Sequence, residues 1–563
     1  MSLRSQLTRA SATLVRRLGP RAYLWLAALF TAFILADALH FKLVRSTGRG
    51  VFDLMVSQRM LQPAPDPDIV IVDIDEASLA DLGRDHGRWP WPNQVIGEFV
   101  EGLEAQRPRA IVFDILFSDA DVLRPESDAY FNEVIAGTGN TFFPMLRLGA
   151  QNDHLSRVRP SMLPGVTSLA TGPGEAPPED VPLAIILPQV PAAIANGRLG
   201  VHNAEPDRDS VIRRYLFHLE HRGWRIPALA TRVAQENGAG PLPAAQRDYL
   251  INWRGKPFSY QYVSFADVYR DLLRKNRQRP PDEFAGKIIV IGSTAPSLFD
   301  IKASPMSKIH PGVEILATAI DNVRAGDWLR DQPAWVSWSA SLAFIWLMAA
   351  ALALQFNVSR FDRIFAAAQA GIVIVSYAAL NVTNFYLDLS APFTLGLAYF
   401  SIARVYLNQS ARWLANSQLH DLEKLPAGRA RMTVMAIHLQ TSRRSGRRRL
   451  RAELSRLVAA SSAGASRIGG LVEDPGLVQG VFAGTMLAYW LNDRPEDADA
   501  QAGIEADLAR ISAGIELFQA KRTGSLASAV STGVLEWTER DGWKPQARSI
   551  ILRALAGEPG SSS

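Results

Sequence analysis

The chain contains no cysteine. That excludes a disulfide framework, cysteine-based zinc sites and a cysteine nucleophile. It does not exclude an oxidising compartment, because a large domain buries enough core without covalent cross-links. An excess of one charge is lacking too. Lys and Arg number 60 against 55 Asp and Glu, so total charge alone points to no polyanionic partner. No Ser/His/Asp set and no glycosidase-like carboxylate pair stands out, and the one glycine turn after a strand, Gly292-Ser293-Thr294, has no Walker lysine. Finally, no long apolar run occurs between residues 42 and 333, although 48% of the 563 residues are apolar. That length suits three or four domain-sized units.

The apolar residues gather instead into four runs: 22–41, 334–354, 364–385 and 389–407. About 20 helical residues cross a bilayer core. Arg4, Arg9, Arg16, Arg17 and Arg21 precede the first run with no acidic residue among them. The positive-inside rule therefore places residues 1–21 in the cytoplasm. Ala36-Asp37-Ala38 also has the small-x-small form of a signal-peptide cleavage site, but the apolar run continues to Phe41. Arg360 and Arg363 mark the loop after the second run as cytoplasmic, while the turn at Tyr386-Leu387-Asp388 has no basic residue and reads as external. Trp335, Trp338, Tyr386 and Tyr406 fall near the expected interfaces. The expected topology of this inner-membrane protein is N-terminus in, residues 42–333 outside (periplasmic), C-terminus in. Gln369, Asn381, Thr383 and Asn384 in the third run are expected to pack against neighbouring helices.

The exported region alternates strand-like and helix-like patches. Residues 68–76, 109–118, 183–188 and 287–293 read as buried strands, and Asn93–Gln106 has helical spacing at Val95, Ile96, Phe99, Val100 and Leu103. This pattern predicts an α/β (α+β) domain with a largely buried sheet. Residues 160–182, rich in Pro, Gly and Ser, predict an irregular loop. Trp89 and Trp91, set among Pro90 and Pro92, form either a rigid corner packed on the core or an aromatic ligand platform. The corner is the plainer reading. Asp73, Asp75 and Asp114 sit in or beside apolar strands, and Asp207 and Asp209 precede Arg213 and Arg214. These groups serve internal salt bridges or a polar ligand, with salt bridges favoured. Gly292-Ser293-Thr294 offers backbone N–H groups to an anion.

The strings IVIVDIDEASLADLG, GRWPWPN, PRAIVFDILFSDAD, GRLGVHNAEPDRDSVIRRY, INWRG, FAGKIIVIGSTAPSLFDIKASP and HPGVEILATAIDNV follow one another from about residue 69 to 323. Together they resemble the extracellular CHASE sensor family of the second class, domains attached to cyclases and histidine kinases. The resemblance implies a sensor followed directly by three membrane helices.

Beyond the last run, residues 408–431 read as a connector and 432–556 as a small α/β domain, with 557–563 a disordered tail. Expected elements are a strand at Met432–Leu439, helices at Arg448–Ala460 and Glu505–Ala520, and a hairpin around Gly476–Trp490. Arg429, Arg431, Arg443, Arg444, Arg447, Arg448, Arg449 and Arg451 form a basic patch suited to anionic lipid, worth about 1 kcal/mol per residue at the surface. No recognition module accompanies it, so nucleic acid is not an expected partner.

MTVMAIHLQTSR and GLVQGVFAGTMLAYWLNDRPEDADAQAGIEADLARI resemble the first strand, metal-site hairpin and following helix of a class III nucleotide cyclase. Phe482, Gly484, Ala488 and Trp490 match the hairpin pattern. The resemblance puts the two metal carboxylates at His438 and Thr485 and the purine-selecting lysine at Val481. Gln546 and Arg548 are loose matches to its transition-state Asn and Arg. His438 and Thr485 cannot supply the paired charge that holds two metal ions. The expectation is therefore a pseudo-cyclase without metal, cofactor or catalytic residues. It would be a homodimeric receptor that senses a periplasmic ligand or envelope protein and acts on a cytoplasmic partner by contact. Two alternatives remain: an active adenylate cyclase with His438 as an atypical metal ligand, or an accessory subunit of an envelope or polysaccharide assembly.

Overall fold

The computed structural model describes residues 21–41, 43–169, 178–243, 246–354, 358–420, 428–440, 471–473, 485–492, 496–521, 525–536 and 543–556. The chain forms two compact units. One is Arg45–Pro333 with Val373–Asp388; the other is Met1–Val44, Ala334–Ile372 and Leu389–Ser563.

The first unit is built on a sheet of β1 (Ile69–Asp73), β2 (Ala110–Phe113), β3 (Thr141–Arg147), β4 (Leu199–Val201), β5 (Gln261–Ser264) and β6 (Ile288–Gly292). The spatial order is β5-β1-β6-β2-β3, all parallel; β4 also pairs parallel to β3, and Ile185–Ile186 pairs antiparallel to it. β1, β2 and β6 are buried at every residue. Helices cover both faces, which is why these strands read as unbroken apolar runs. Ile69, Ile71, Val112, Ile288 and Val290 pack with the helices Leu229–Glu236 and Gly312–Ala325. Val70, Val72, Ile111, Phe113, Ile289 and Ile291 pack on the opposite side, with α1 (Asn93–Glu104), α2 (Pro125–Gly137) and α3 (Phe265–Leu272). All five apolar positions expected of α1 are buried.

The strand expected at 183–188 shrinks to Ile185–Ile186. Pro182 and Pro188 flank it, and proline has no N–H for a ladder. Within the expected loop 160–182, the described residues include a short helical turn at Pro160–Met162 and a two-residue strand at Thr167–Ser168. Residues 170–177 lie outside the described residues.

The segment Val373–Asp388 belongs to this same unit. Asn381 does not pack against a helix face as expected. Its Oδ1 accepts the backbone N–H groups of Met60 and Leu61 at 2.9 and 3.0 Å. The Tyr386 hydroxyl donates to the Gly48 carbonyl at 3.2 Å, and Gln332 Nε2 donates to the Asp388 carbonyl at 2.7 Å. Arg330–Asp331 and Phe385–Tyr386 pair as two-residue parallel strands.

In the second unit, the helix Arg21–Ala36 is followed by a π-helical turn at Asp37–Phe41. Tyr23, Ala27, Ile345, Ala349, Phe365, Tyr399 and Ala403 share its apolar core. Among the described residues, three helices are long and apolar enough to cross a membrane: Arg21–Phe41, Ala334–Ala353 and Arg360–Val382. The run expected at 389–407 lies in the helix Ser390–His420, which is not one of them. Pro392, Thr394, Ser401 and Arg404 dilute its apolar character, and Arg404 pairs with Asp362 at 3.2 Å. This helix also runs through the first part of the expected connector.

The C-terminal sheet holds β7 (Arg429–Gln440), β8 (Leu471–Glu473), β9 (Thr485–Asn492) and β10 (Ser525–Glu536), all antiparallel in the order β8-β9-β7-β10. α4 (Ala498–Lys521) connects β9 to β10 and contains the helix expected at Glu505–Ala520; α5 (Lys544–Ala556) follows. Met435, Ile437, Trp490, Ile504, Ile511 and Ile515 form the core of this region. The helix expected at Arg448–Ala460 and the tail lie outside the described residues, as do residues 1–20, residues 476–484 of the expected hairpin, and the basic patch from Arg443 to Arg451.

Candidate functional site

Trp89 and Trp91 meet edge to face at 4.9 Å, and Trp91 is buried against Phe265 at 5.4 Å. Phe265 in turn stacks on Phe99 of α1 at 4.2 Å. The indole of Trp91 is thus part of the core, and the pair forms a packed corner.

In open α/β sheets ligands bind outside the carboxyl ends of the parallel strands. β1, β6 and β2 bring Asp73, Gly292 and Asp114 to that end. Asp73 accepts the Thr294 N–H at 2.8 Å and its hydroxyl at 2.5 Å. Burial raises the Asp73 pKa, and the Thr294 bonds offset part of that. The chain's own carboxylate therefore occupies the Thr294 N–H of the expected anion turn. Ser293 Oγ donates to the Ile74 carbonyl at 2.7 Å. Asp75 caps the helix Glu76–His86, accepting the Ser78 N–H at 2.6 Å.

Arg213 and Arg214 are consumed by internal ion pairs. The Arg213 side chain is 3% exposed and donates to Asp53, Asp207 and Asp209 at 2.6–2.7 Å. These hydrogen bonds hold the Asp209 pKa down at about 2. Arg214 pairs with Asp248 at 2.8 Å and with Asp331. These residues serve the salt-bridge reading.

Asp114 behaves differently. Its Oδ1 accepts from His202 Nε2 at 2.9 Å, and His202 Nδ1 bonds the buried Tyr215 hydroxyl at 2.7 Å. The Asp114 side chain is 7% exposed, yet its Oδ2 has no hydrogen-bond partner. Burial pushes the His202 pKa down, but the Asp114 charge and hydrogen bond outweigh it and leave the group raised. Asp300 also enters this group. Burial raises its pKa first, and the largest charge it feels is that of Asp114. Lys302 lies 3.2 Å from it. Gly292 permits this crowding, since a Cβ there would stand 3.0 Å from the Asp114 Cβ and 2.6 Å from Val313 Cγ2.

Sequence reasoning named Asp114 but not His202, Tyr215, Asp300 or Lys302. All four lie inside quoted motif strings, so motif membership was the available signal. Sequence reasoning also missed a buried network under the helix Gly312–Ala325, of which Arg254, Glu314 and Asp321 lie inside quoted strings. Arg254 forks onto Asp321 (2.6 and 2.9 Å) and Asp327 (2.6 and 2.9 Å), and the Tyr260 hydroxyl donates to Asp321 at 2.8 Å. Glu314 accepts the Phe258 and Ser259 N–H groups and the Tyr262 hydroxyl. Away from both groups, an open groove of about 360 Å³ is lined by apolar side chains such as Val158, Leu187 and Ile194.

The CHASE2 domain model matches residues 25–355, more than half of the chain. The chain belongs to the CHASE2 domain family. A CHASE2 domain is an extracellular sensor domain and gives the protein a sensor and signal-transduction role. The match starts within the helix Arg21–Ala36 and ends just beyond Ala353, so it includes two of the three helices suited to a membrane. No curated protein and no solved structure matches the chain.

At the C-terminal end, the register sets His438 of β7 directly opposite Thr485 of β9. Val481 lies outside the described residues. Gln546 exchanges two hydrogen bonds of 2.8 Å with the Glu536 backbone, tying α5 to the end of β10.

Proposed function

We propose that this protein is a homodimeric inner-membrane receptor with four membrane helices, its CHASE2 domain periplasmic and both termini cytoplasmic. The sensor binds a ligand or envelope partner. The C-terminal domain is a cyclase-like fold that acts by protein contact rather than by catalysis. The observation that carries the relay is the membership of Val373–Asp388 in the sensor unit. This segment ends the helix Val358–Val382 and immediately precedes the helix Ser390–His420. A rearrangement of the sensor therefore acts on the ends of two helices, and the second leads toward β7.

The pseudo-cyclase part is supported by register. The two positions that the resemblance gives to metal carboxylates, His438 and Thr485, are direct cross-strand partners. Paired anions are what two-metal chemistry needs, and neither residue is a carboxylate. The test is a cyclase assay of the full chain in native membrane with magnesium or manganese, alongside affinity purification of its partners. No cyclic nucleotide and a stoichiometric cytoplasmic partner are expected. Robust cyclic nucleotide formation, abolished by His438→Ala, would overturn the non-enzymatic reading.

A further inference from the structure

The Asp114 group has an acceptor without a donor. A carboxylate oxygen buried without a hydrogen bond costs the full desolvation of that atom. His202 serves only Oδ1, and Tyr215 is engaged with His202. Asp300 is an acidic neighbour that offers no donor when ionised, and burial and the Asp114 charge raise its pKa. The missing element is an N–H donor carrying positive charge. Phe299 adds a second indication. It directly precedes Asp300, its ring side chain is 84% exposed, and it takes a left-handed φ of 56° that few non-glycine residues adopt. An exposed aromatic residue next in the chain to a carboxylate suits an organic cation. Among the described residues no three His, Asp or Glu side chains are grouped as a metal ion would require.

We propose that Asp114 and Asp300, with Phe299 at the rim, form the sensor's binding site for a small primary ammonium compound, whose N–H groups bond Asp114 Oδ2. His202 and Tyr215 orient Asp114 from behind. This deepens the receptor reading and rests on it.

The test uses the full chain in lipid nanodiscs, with the thermal unfolding midpoint followed at fixed ionic strength. Methylamine, ethanolamine and putrescine are the probes. Tetramethylammonium, which has the charge but no N–H, and magnesium chloride are the comparisons. A saturable rise with at least one primary amine, and none with tetramethylammonium, is expected. Asp114→Asn keeps an acceptor for His202 and should weaken the response at least tenfold without loss of the fold. Asp300→Asn, at a partly exposed position, should weaken it as well. An equal response in both variants, no response to any amine, or a response to magnesium alone would overturn the proposal. None of these outcomes touches the relay reading, whose assay contains no added amine.

Discussion

Arg254 and Arg213 each hold several carboxylates, but their surroundings predict different costs of removal. Arg254 is 2% exposed and Asp321 3%. Arg254→Met would leave Asp321 buried beside only the Tyr260 hydroxyl and the Asp66 N–H, at a cost of about 3–5 kcal/mol in urea or thermal unfolding. The partners of Arg213 are 28–44% exposed and can rehydrate. Arg213→Met should therefore cost less, about 2 kcal/mol. Histidines set the pH profile. His310 lies beside Trp253 and Ser304, with Glu314 at 3.8 Å, and burial lowers its pKa to about 4. Between that value and the ordinary value near 6.5 the unfolded chain binds more protons, so stability falls as pH drops through this window. The loss reaches about 3 kcal/mol. Glu314, raised by burial, works in the opposite sense at the acid end. His202 is raised, so its contribution is complete below about 6.5 and is lost as pH climbs through its folded value. The two histidines thus predict a stability maximum near their ordinary pKa. A melting series against pH should show His310→Gln flattening the acid arm and His202→Gln the alkaline arm.

Asn381 is an element-scale device, because one side chain fastens the end of one helix to the chain leaving another. Asn381→Leu removes the acceptor for two backbone N–H groups. Both are exposed, so water replaces the bond and the stability cost should be only about 1 kcal/mol. The expected signature is faster hydrogen exchange at residues 58–62 and 377–388, with β1 and β6 unchanged. Comparable exchange in the wild type would show that the contact does not hold these segments together. β1, β2 and β6 were legible because burial on both faces leaves an unbroken apolar run, and α1 because one face alone is buried, whereas β3, β4 and β5 were not among the expected strands. The Asn381 contact was not, since it joins residues some 320 apart in sequence. The Asp114 group was hidden for the same reason. Its members come from the ends of β2 and β4, from Tyr215 and from the loop after β6, and only the parallel sheet order brings them together. Arg213 and its acidic neighbours were legible because two of the three partners lie within six residues of it.

At the scale of the whole molecule, the receptor reading requires the C-terminal domain to have kept a cyclase's framework while losing its metal-binding charge. That claim can be tested by restoring the charge. Residues directly opposed across antiparallel strands stand about 5 Å apart and share a face of the sheet. His438 and Thr485 are such partners in the β7–β9 register. Replacing both, as His438→Asp with Thr485→Asp, would place two carboxylates side by side, and two like charges at that distance repel. The double variant should therefore be less stable than the wild type without metal and should regain stability with manganese, a hard cation that takes oxygen ligands. Each single variant supplies one carboxylate and should respond weakly. Unfolding of the full chain with and without manganese checks this directly. If the double variant gains no more from manganese than the wild type, these positions are not the former metal site. The cyclase likeness would then lose its main support, whereas the sensor family, which rests on residues 25–355, would be untouched.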